Sequence, residues 1–364
     1  MSGKVYMSIF GVGLGHVYRS IGIARELTDI GVDLVFSSFG LPKYIIMNEF
    51  PDKKVYESPK FKIFEESGTI NIRKVIKNSF DMLIKFYAGI EVDKRIFRES
   101  GYNVTVSDCQ IQSIISSNKL NIPNVFITNM LLFPKINYAL RIFNSMYKYV
   151  LSLTDCVIIP DVKDDTYVLP DHDNYNIIWV GPILKKRINE IPSDDYIIEK
   201  YGLPDDKDIV LVTTGGSKLM VRDIVSLVVD IVSNSFGKDL FPVVVTKHNI
   251  PVEYGIKFDY VHDLIELIKV SKLVISHAGH TTISECMCLR KPMVVIPIPD
   301  HPEQQVNAER VENRGIGVRL DPENINYVSM KNAIEKAMNI NVPHYKLADG
   351  KGAYRAAKII EKML

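Results

Sequence analysis

Short unbroken apolar runs alternate along this chain with longer stretches in which apolar residues recur every three or four positions. Val5–Phe10, Val32–Ser37, Asn103–Ser107, Asn124–Thr128 and Cys156–Ile159 read as strands, and Tyr18–Ile30 reads as a helix between the first two. A second series follows, with strands at Ile209–Thr213, Pro242–Thr246, Leu273–Ser276 and Met293–Pro297 and helices at Val221–Ser233 and Leu264–Ser271. Strands that lack polar alternation are buried on both faces, and a β, α, β order supplies the helices that cover them. The pattern therefore predicts an α/β fold of two doubly wound parallel sheets. Between the series, WVGPILKKRINEIPSDD has the prolines and charges of a linker. The expected division is 1–181 and 182–351, with a last helix, 352–364, packing back toward the first domain.

At 364 residues the chain is long enough for two cores. Its apolar fraction of 46% and charged fraction of 24% are those of a globular protein. A formal net charge of +1 provides no overall field for nucleic acid, so no nucleic-acid partner is expected. The four cysteines form no CxxC pair, which argues against a disulfide framework or zinc ribbon and fits a reducing cytoplasm. The start MSGKVYMSIFGVGLGH runs into a strand and a glycine turn without the apolar core of a signal peptide. No stretch reaches the roughly 20 apolar residues of a membrane span, so any membrane contact is expected to be peripheral, at the inner face.

Two glycine turns follow strands, where open parallel sheets bind their ligands. The first, GVGLGHVYRS, has Gly11 and Gly13 of a dinucleotide fingerprint but His16 in place of the third glycine, and FSSFG ends the next strand without a ribose-binding acid. One alternative is that Gly11, Gly13 and Gly15 bend the chain so that His16 stands at the strand tip, where an imidazole can take a proton from a hydroxyl. The other is a histidine that merely satisfies backbone groups at a helix start. Asp108, past the end of another strand in VTVSDCQ, is either the partner that fixes the His16 tautomer or a helix N-cap. The second turn is TTGGSK.

A further cluster, SHAGHTTISE, spans Ser276 to Glu285. His277, His280 and Glu285 do not share an assured face for a metal, and DHD at Asp171–Asp173 is too short a pattern to add one, so no metal site is expected. Thr282 and Glu285 have capping-box spacing. Against that stands the order strand, turn, helix: the glycine turn through Gly279 gathers free N–H groups at a helix start, where a diphosphate binds. His277, His280, Thr281 and Thr282 add donors, and Glu285, about a turn further on, falls where a ribose would lie.

The segment from Tyr260 to Ala308, YVHDLIELIKVSKLVISHAGHTTISECMCLRKPMVVIPIPDHPEQQVNA, resembles the nucleotide-sugar signature of the GT-B glycosyltransferases, closest to the MurG-like and UDP-glycosyltransferase families. The turn GVGLGHVYRS resembles the glycine loop of the MurG-like and related archaeal enzymes. The resemblance implies two Rossmann-like domains facing across a cleft, with His277 and Thr282 on the diphosphate and Glu285 on the ribose. It also implies Tyr260 and Val261 at the base, Glu303 and Gln304 on sugar hydroxyls, and Gly215, Gly216 and Ser217 as a phosphate-side loop. Gly13 and Gly15 join the nucleotide-sugar site, and His16 becomes the catalytic base with Asp108 its partner. Two departures, His280 and Glu303, leave the donor sugar open.

The implied activity is a hexosyltransferase that uses a UDP-sugar as donor substrate, N-acetylglucosamine first, with no cofactor. Retaining relatives carry two glutamates eight apart, whereas here the positions eight beyond Glu285 and Glu303 are Met293 and Val311, so inversion is expected. Phe61–Arg98 and Asn129–Phe143 mix basic and apolar residues in a way that suits either a membrane surface beside a lipid-linked acceptor or an ordinary amphipathic helix. A nucleotide-sugar 2-epimerase and a non-catalytic nucleotide-sugar-binding protein are the rival readings.

Overall fold

The computed structural model describes residues 3–60, 65–66, 69–70, 79–129, 138–163, 174–214, 221–236, 239–299 and 301–364. Its strands in chain order are β1 (Lys4–Ile9), β2 (Asp33–Ser38), β3 (Val55–Glu57), β4 (Glu65–Glu66), β5 (Thr69–Ile70), β6 (Val104–Asp108), β7 (Asn124–Ile127), β8 (Cys156–Ile159), β9 (Ile177–Trp179), β10 (Asp208–Thr213), β11 (Leu240–Val245), β12 (Ile256–Phe258), β13 (Ser271–Ser276), β14 (Met293–Val295) and β15 (Gly317–Arg319). Among the described residues they form two parallel sheets, ordered β3-β2-β1-β6-β7-β8-β9 and β12-β11-β10-β13-β14-β15, with β4 and β5 as a separate antiparallel pair. Two compact units result: residues 1–64, 71–187 and 347–364 form one, and 65–70 with 188–346 form the other.

In the first unit β1 is buried from Val5 to Ile9 and pairs with β2 on one side and β6 on the other. A strand covered on both faces is mostly apolar, and Val5–Ile9 is broken only by the buried Ser8. The helix Gly15–Asp29 covers the sheet through Val17, Ile21, Ala24 and Leu27, and Ala353, Ala356, Ala357 and Ile360 of the helix Gly352–Glu361 join the same core. In the second unit the helices Val221–Ser235 and Tyr327–Met338 close the core over β10, β11 and β13. The expected gap between Ser271 and Leu273 does not exist. The helix Leu264–Val270 passes directly into β13, whose register against β10 shifts between Ile209 and Val210 and thereby accommodates Lys272.

The expected boundary at Gly181 is corrected by the structure, which changes units after Arg187. The first half of the supposed linker belongs to the fold. Trp179 ends β9, and Val180, Ile183 and Leu184 are buried. Lys185 pairs with Glu49 at 2.6 Å, and Arg187 grips Glu26 through two bonds of 2.7 and 2.9 Å. The return to the first unit likewise begins at Leu347, ahead of the last helix, with Arg355 donating to Val180 O at 2.6 Å and Leu347 O at 2.9 Å.

Gly22 shows how tightly this seam is closed. A Cβ there would stand 2.1 Å from the carbonyl oxygen of Leu184. Gly22→Ala is expected to lower the stability of the protein by about 1–3 kcal/mol through overpacking, read as a lower urea midpoint. An unchanged midpoint would mean that the 182–185 segment yields without cost.

Candidate functional site

In each sheet the strand order reverses once at the centre, between β1 and β6 in the first and between β10 and β13 in the second. The chains leaving the carboxyl ends of such a strand pair diverge and open a crevice. The turns after β1 and β13 are GVGLG and HAG, so both clusters singled out from the sequence lie at these reversals. The residues after β10, including Gly215, Gly216 and Ser217, lie outside the described residues, as does the DHD pattern at 171–173.

In the first unit, Ile9 is in register with Asp108, which brings the ends of β1 and β6 together. Gly13 has φ +77°, and a Cβ at Gly11 would stand 2.4 Å from Phe39 O, so the loop needs both glycines for different reasons. The turn delivers His16 as the second residue of its helix, and its Nδ1 lies 2.7 Å from Asp108 Oδ1. Arg19 and Ser20, three and four positions on, share that helix face. Arg19 donates from Nε to Asp108 Oδ2 at 2.7 Å and from Nη2 to Oδ1, and the Ser20 hydroxyl donates to Oδ2 at 3.0 Å. Asp108 is only 1% exposed, so its charge is held by these donors and not by water. Cys109 follows with φ +56°, a left-handed conformation that non-glycine residues adopt at a cost of about 1–3 kcal/mol, and bridges back to Ile9. The Phe10 ring stands edge-on to His16, centroids 5.6 Å apart.

His16 Nδ1 faces a carboxylate oxygen, which only accepts, and Arg19 Nη2, which only donates, at 2.8 Å; with the ring hydrogen on Nδ1 toward Asp108, Nε2 is the proton-accepting nitrogen. Burial works against the imidazolium; the Cys109 sulfur favours it, Arg19 opposes it and Asp108 favours it, and the balance raises the His16 pKa to about 10. Burial also works against the Asp108 carboxylate, but Arg19 and then His16 outweigh it and hold its pKa at about 2. His16, Asp108 and Cys109 bring their donor atoms within 4.8 Å of one another, a spacing a metal could use. Arg19 Nη2 stands among them, 2.8 Å from His16 Nδ1 and 3.8 Å from Cys109 Sγ, so a divalent cation would meet a fixed guanidinium there.

In the second unit β13 ends at Ser276, and the helix His280–Leu289 starts at Gly279 as N-cap with no side chain capping it. The capping box suggested by Thr282 and Glu285 is therefore not how this helix begins: Thr282 is already inside its first turn. His277 is nine-tenths buried and donates from Nδ1 to Ile296 O at 2.8 Å, while its Nε2 has no partner among the described residues. Burial lowers its pKa, His301 adds to that, and the Ile296 carbonyl only partly offsets them. The neutral ring thus presents a lone pair at Nε2, and donation to an anion there requires proton uptake. Asn307 Nδ2 donates to Ala278 O at 3.0 Å and fixes the HAG turn from the next helix, Pro302–Asn313.

The other residues divide. Thr281 and Thr282 stand in the first turn of His280–Leu289, and Glu285 is buried on the same helix. Glu303 and Gln304 open the helix Pro302–Asn313, where Gln304 Oε1 accepts from Ile298 N at 2.9 Å and is committed to the backbone. Tyr260 is exposed and Val261 buried, just before Leu264–Val270. The sequence reading missed Arg19, Ser20, Cys109 and Asn307. For the first two the spacing from His16 was visible; Cys109 comes in through the end of β6 beside β1, and Asn307 through the packing of its helix against the HAG turn.

The glycosyltransferase family 28 C-terminal domain matches residues 211–363. An uncharacterized glycosyltransferase of Methanopyrus kandleri is 44% identical over 340 residues, covering 93% of this chain and 98% of that one. The UDP-N-acetylglucosamine--N-acetylmuramyl-(pentapeptide) pyrophosphoryl-undecaprenol N-acetylglucosamine transferase of Clostridioides difficile is 24% identical over 92% of this chain and 81% of its own. The crystal structure of Acinetobacter baumannii MurG superposes with a TM-score of 0.65 at 12% identity, covering 100% of both chains. A calicheamicin glycosyltransferase gives a TM-score of 0.70 at 14% identity over 100% of this chain and 98% of its own.

Proposed function

The chain belongs to the MurG-like glycosyltransferases of the GT-B fold, and from that premise we propose that it moves N-acetylglucosamine from UDP to a hydroxyl of a lipid-linked acceptor, with inversion. The observation that carries this reading is the uncapped amino end of His280–Leu289 at the central reversal of its sheet. Its N–H groups and dipole suit a diphosphate, and Thr281 and Thr282 add hydroxyl donors beside them. Glu285 takes the ribose hydroxyls and Tyr260 with Val261 the uracil, with Glu303 and the amide nitrogen of Gln304 on the sugar.

The other unit supplies the base. His16 Nε2 takes the acceptor proton as the acceptor oxygen bonds to the anomeric carbon, and the bond from that carbon to the diphosphate oxygen breaks with both electrons leaving on UDP. Asp108 holds the ring and stabilises the imidazolium so formed. The acceptor's lipid directs attention to the helix Ser79–Ser100, which exposes Leu83, Ile84 and Tyr87 close together on one face and carries Arg95 and Arg98 further along. That face suits an anionic membrane surface. In the rest of the basic segment residues 61–64, 67–68 and 71–78 lie outside the described residues, as does most of Asn129–Phe143. No described helix is long and apolar enough to cross a membrane.

A thermal-shift series with UDP-, dTDP- and GDP-linked sugars tests the donor assignment, because a ligand that binds the native state raises apparent stability by mass action. UDP-N-acetylglucosamine is expected to give the largest rise. Glu285→Ala is expected to weaken UDP binding about 10- to 100-fold, the loss of charge-assisted bonds to the ribose. A larger rise with dTDP or GDP sugars, or equal UDP affinity in the variant, would overturn the assignment.

A further inference from the structure

Asp108 and His16 account for one another only in part. A carboxylate this deeply buried needs more than one imidazole hydrogen to hold its charge. Arg19, 5% exposed, meets both carboxylate oxygens, and its Nη2 lies 2.8 Å from the ring nitrogen that faces the carboxylate. A two-pronged guanidinium fixes the plane of a carboxylate, which a point charge does not. A cation at that distance also opposes a second positive charge on the ring.

We propose that Arg19 is the positioning residue of the His16–Asp108 pair, orienting the carboxylate that receives the imidazole N–H and restraining the proton affinity of the ring so that Nε2 serves as a base. The inference rests on the reading of His16 as the base. Among the described residues four groups face the ring: Asp108, Arg19, the Cys109 sulfur and the edge-on Phe10. Of these, Arg19 is the one that disfavours the imidazolium by charge, and it does so in concert with burial.

The test is an NMR titration of the His16 ring nitrogens in the full chain, which needs no acceptor. Arg19→Met is expected to move the His16 titration to higher pH by about one pH unit, and Arg19→Lys, which keeps the charge, is expected to leave it near that of the native protein. A purely structural arginine would lower the melting temperature of Arg19→Met without moving the titration, and that result overturns the proposal. If Arg19→Met does not fold, Arg19→Lys decides: release of UDP from UDP-N-acetylglucosamine should fall in kcat with KM unchanged, since one ammonium cannot hold both oxygens, and an unchanged kcat overturns it. His16→Ala is run beside them. Native turnover in His16→Ala removes the base assignment itself, whereas lost turnover there with an unmoved titration in Arg19→Met removes only the role of Arg19.

Discussion

His16→Ala is expected to lower kcat by about 10²- to 10⁴-fold, the usual worth of a positioned general base, while leaving the affinity for UDP as it is. The two effects separate because Thr281, Thr282, Glu285, Tyr260 and Val261, assigned to the nucleotide, belong to the second unit, and His16 belongs to the first. The pH dependence gives a second arm. With the His16 pKa raised to about 10, the base form is scarce at neutrality and grows as pH rises. Turnover by the native protein should therefore climb about tenfold per pH unit from neutrality toward that value, and the residual turnover of His16→Ala should not follow the same line. Steady-state release of UDP from UDP-N-acetylglucosamine across pH 6–10 measures both. Turnover within a few-fold of native in the variant would sink the assignment, because the proton would then leave by another route.

How much of this was legible in the sequence depends on what kind of fact is asked for. The long central strands were, because burial on two faces favours apolar, β-branched and small side chains with few charges: β1, β6, β10 and β13 were all recognised to within about two residues at each end. Of the five three-residue strands among the described residues, β3, β9, β12 and β15 were not, since three residues carry no period, whereas β14 lies within the apolar run Met293–Pro297. Both functional turns were found through their glycines, yet the reason they matter, that each follows a strand at the central reversal of its sheet, depends on strand order and is invisible along the chain. The capping-box spacing of Thr282 and Glu285 carries no weight by itself, because it is indifferent to where the helix begins. Gly279 starts the helix earlier and turns the supposed cap into an ordinary first-turn residue. Along the chain Arg19 is one more charge on a helix. Its meaning appears only once the end of β6 lies beside β1 and leaves a buried carboxylate in need of a cation.

Asp108→Ala is expected to destabilise the protein by about 3–5 kcal/mol, because it strips the partner from a buried guanidinium as well as from His16. The paired variant Asp108→Ala with Arg19→Met should recover much of that loss, since no unpaired charge then remains buried, and yet recover no turnover, since nothing would orient the His16 ring. Denaturant titrations of the two single variants and the pair supply the cycle. The sign with pH is fixed by the depressed Asp108 pKa of about 2 against an ordinary value near 4. A carboxyl that ionises more readily in the folded state adds stability above its unfolded pKa and loses it as pH falls through the folded one. The carboxylate's own share of the gap between the native protein and Asp108→Ala should thus be full above about pH 5 and narrow steadily from about pH 4 toward pH 2. A gap that stays constant over that range would mean that Asp108 supports the fold by its shape and not by its charge, and the imidazole would then lack the anion that its role as a base requires.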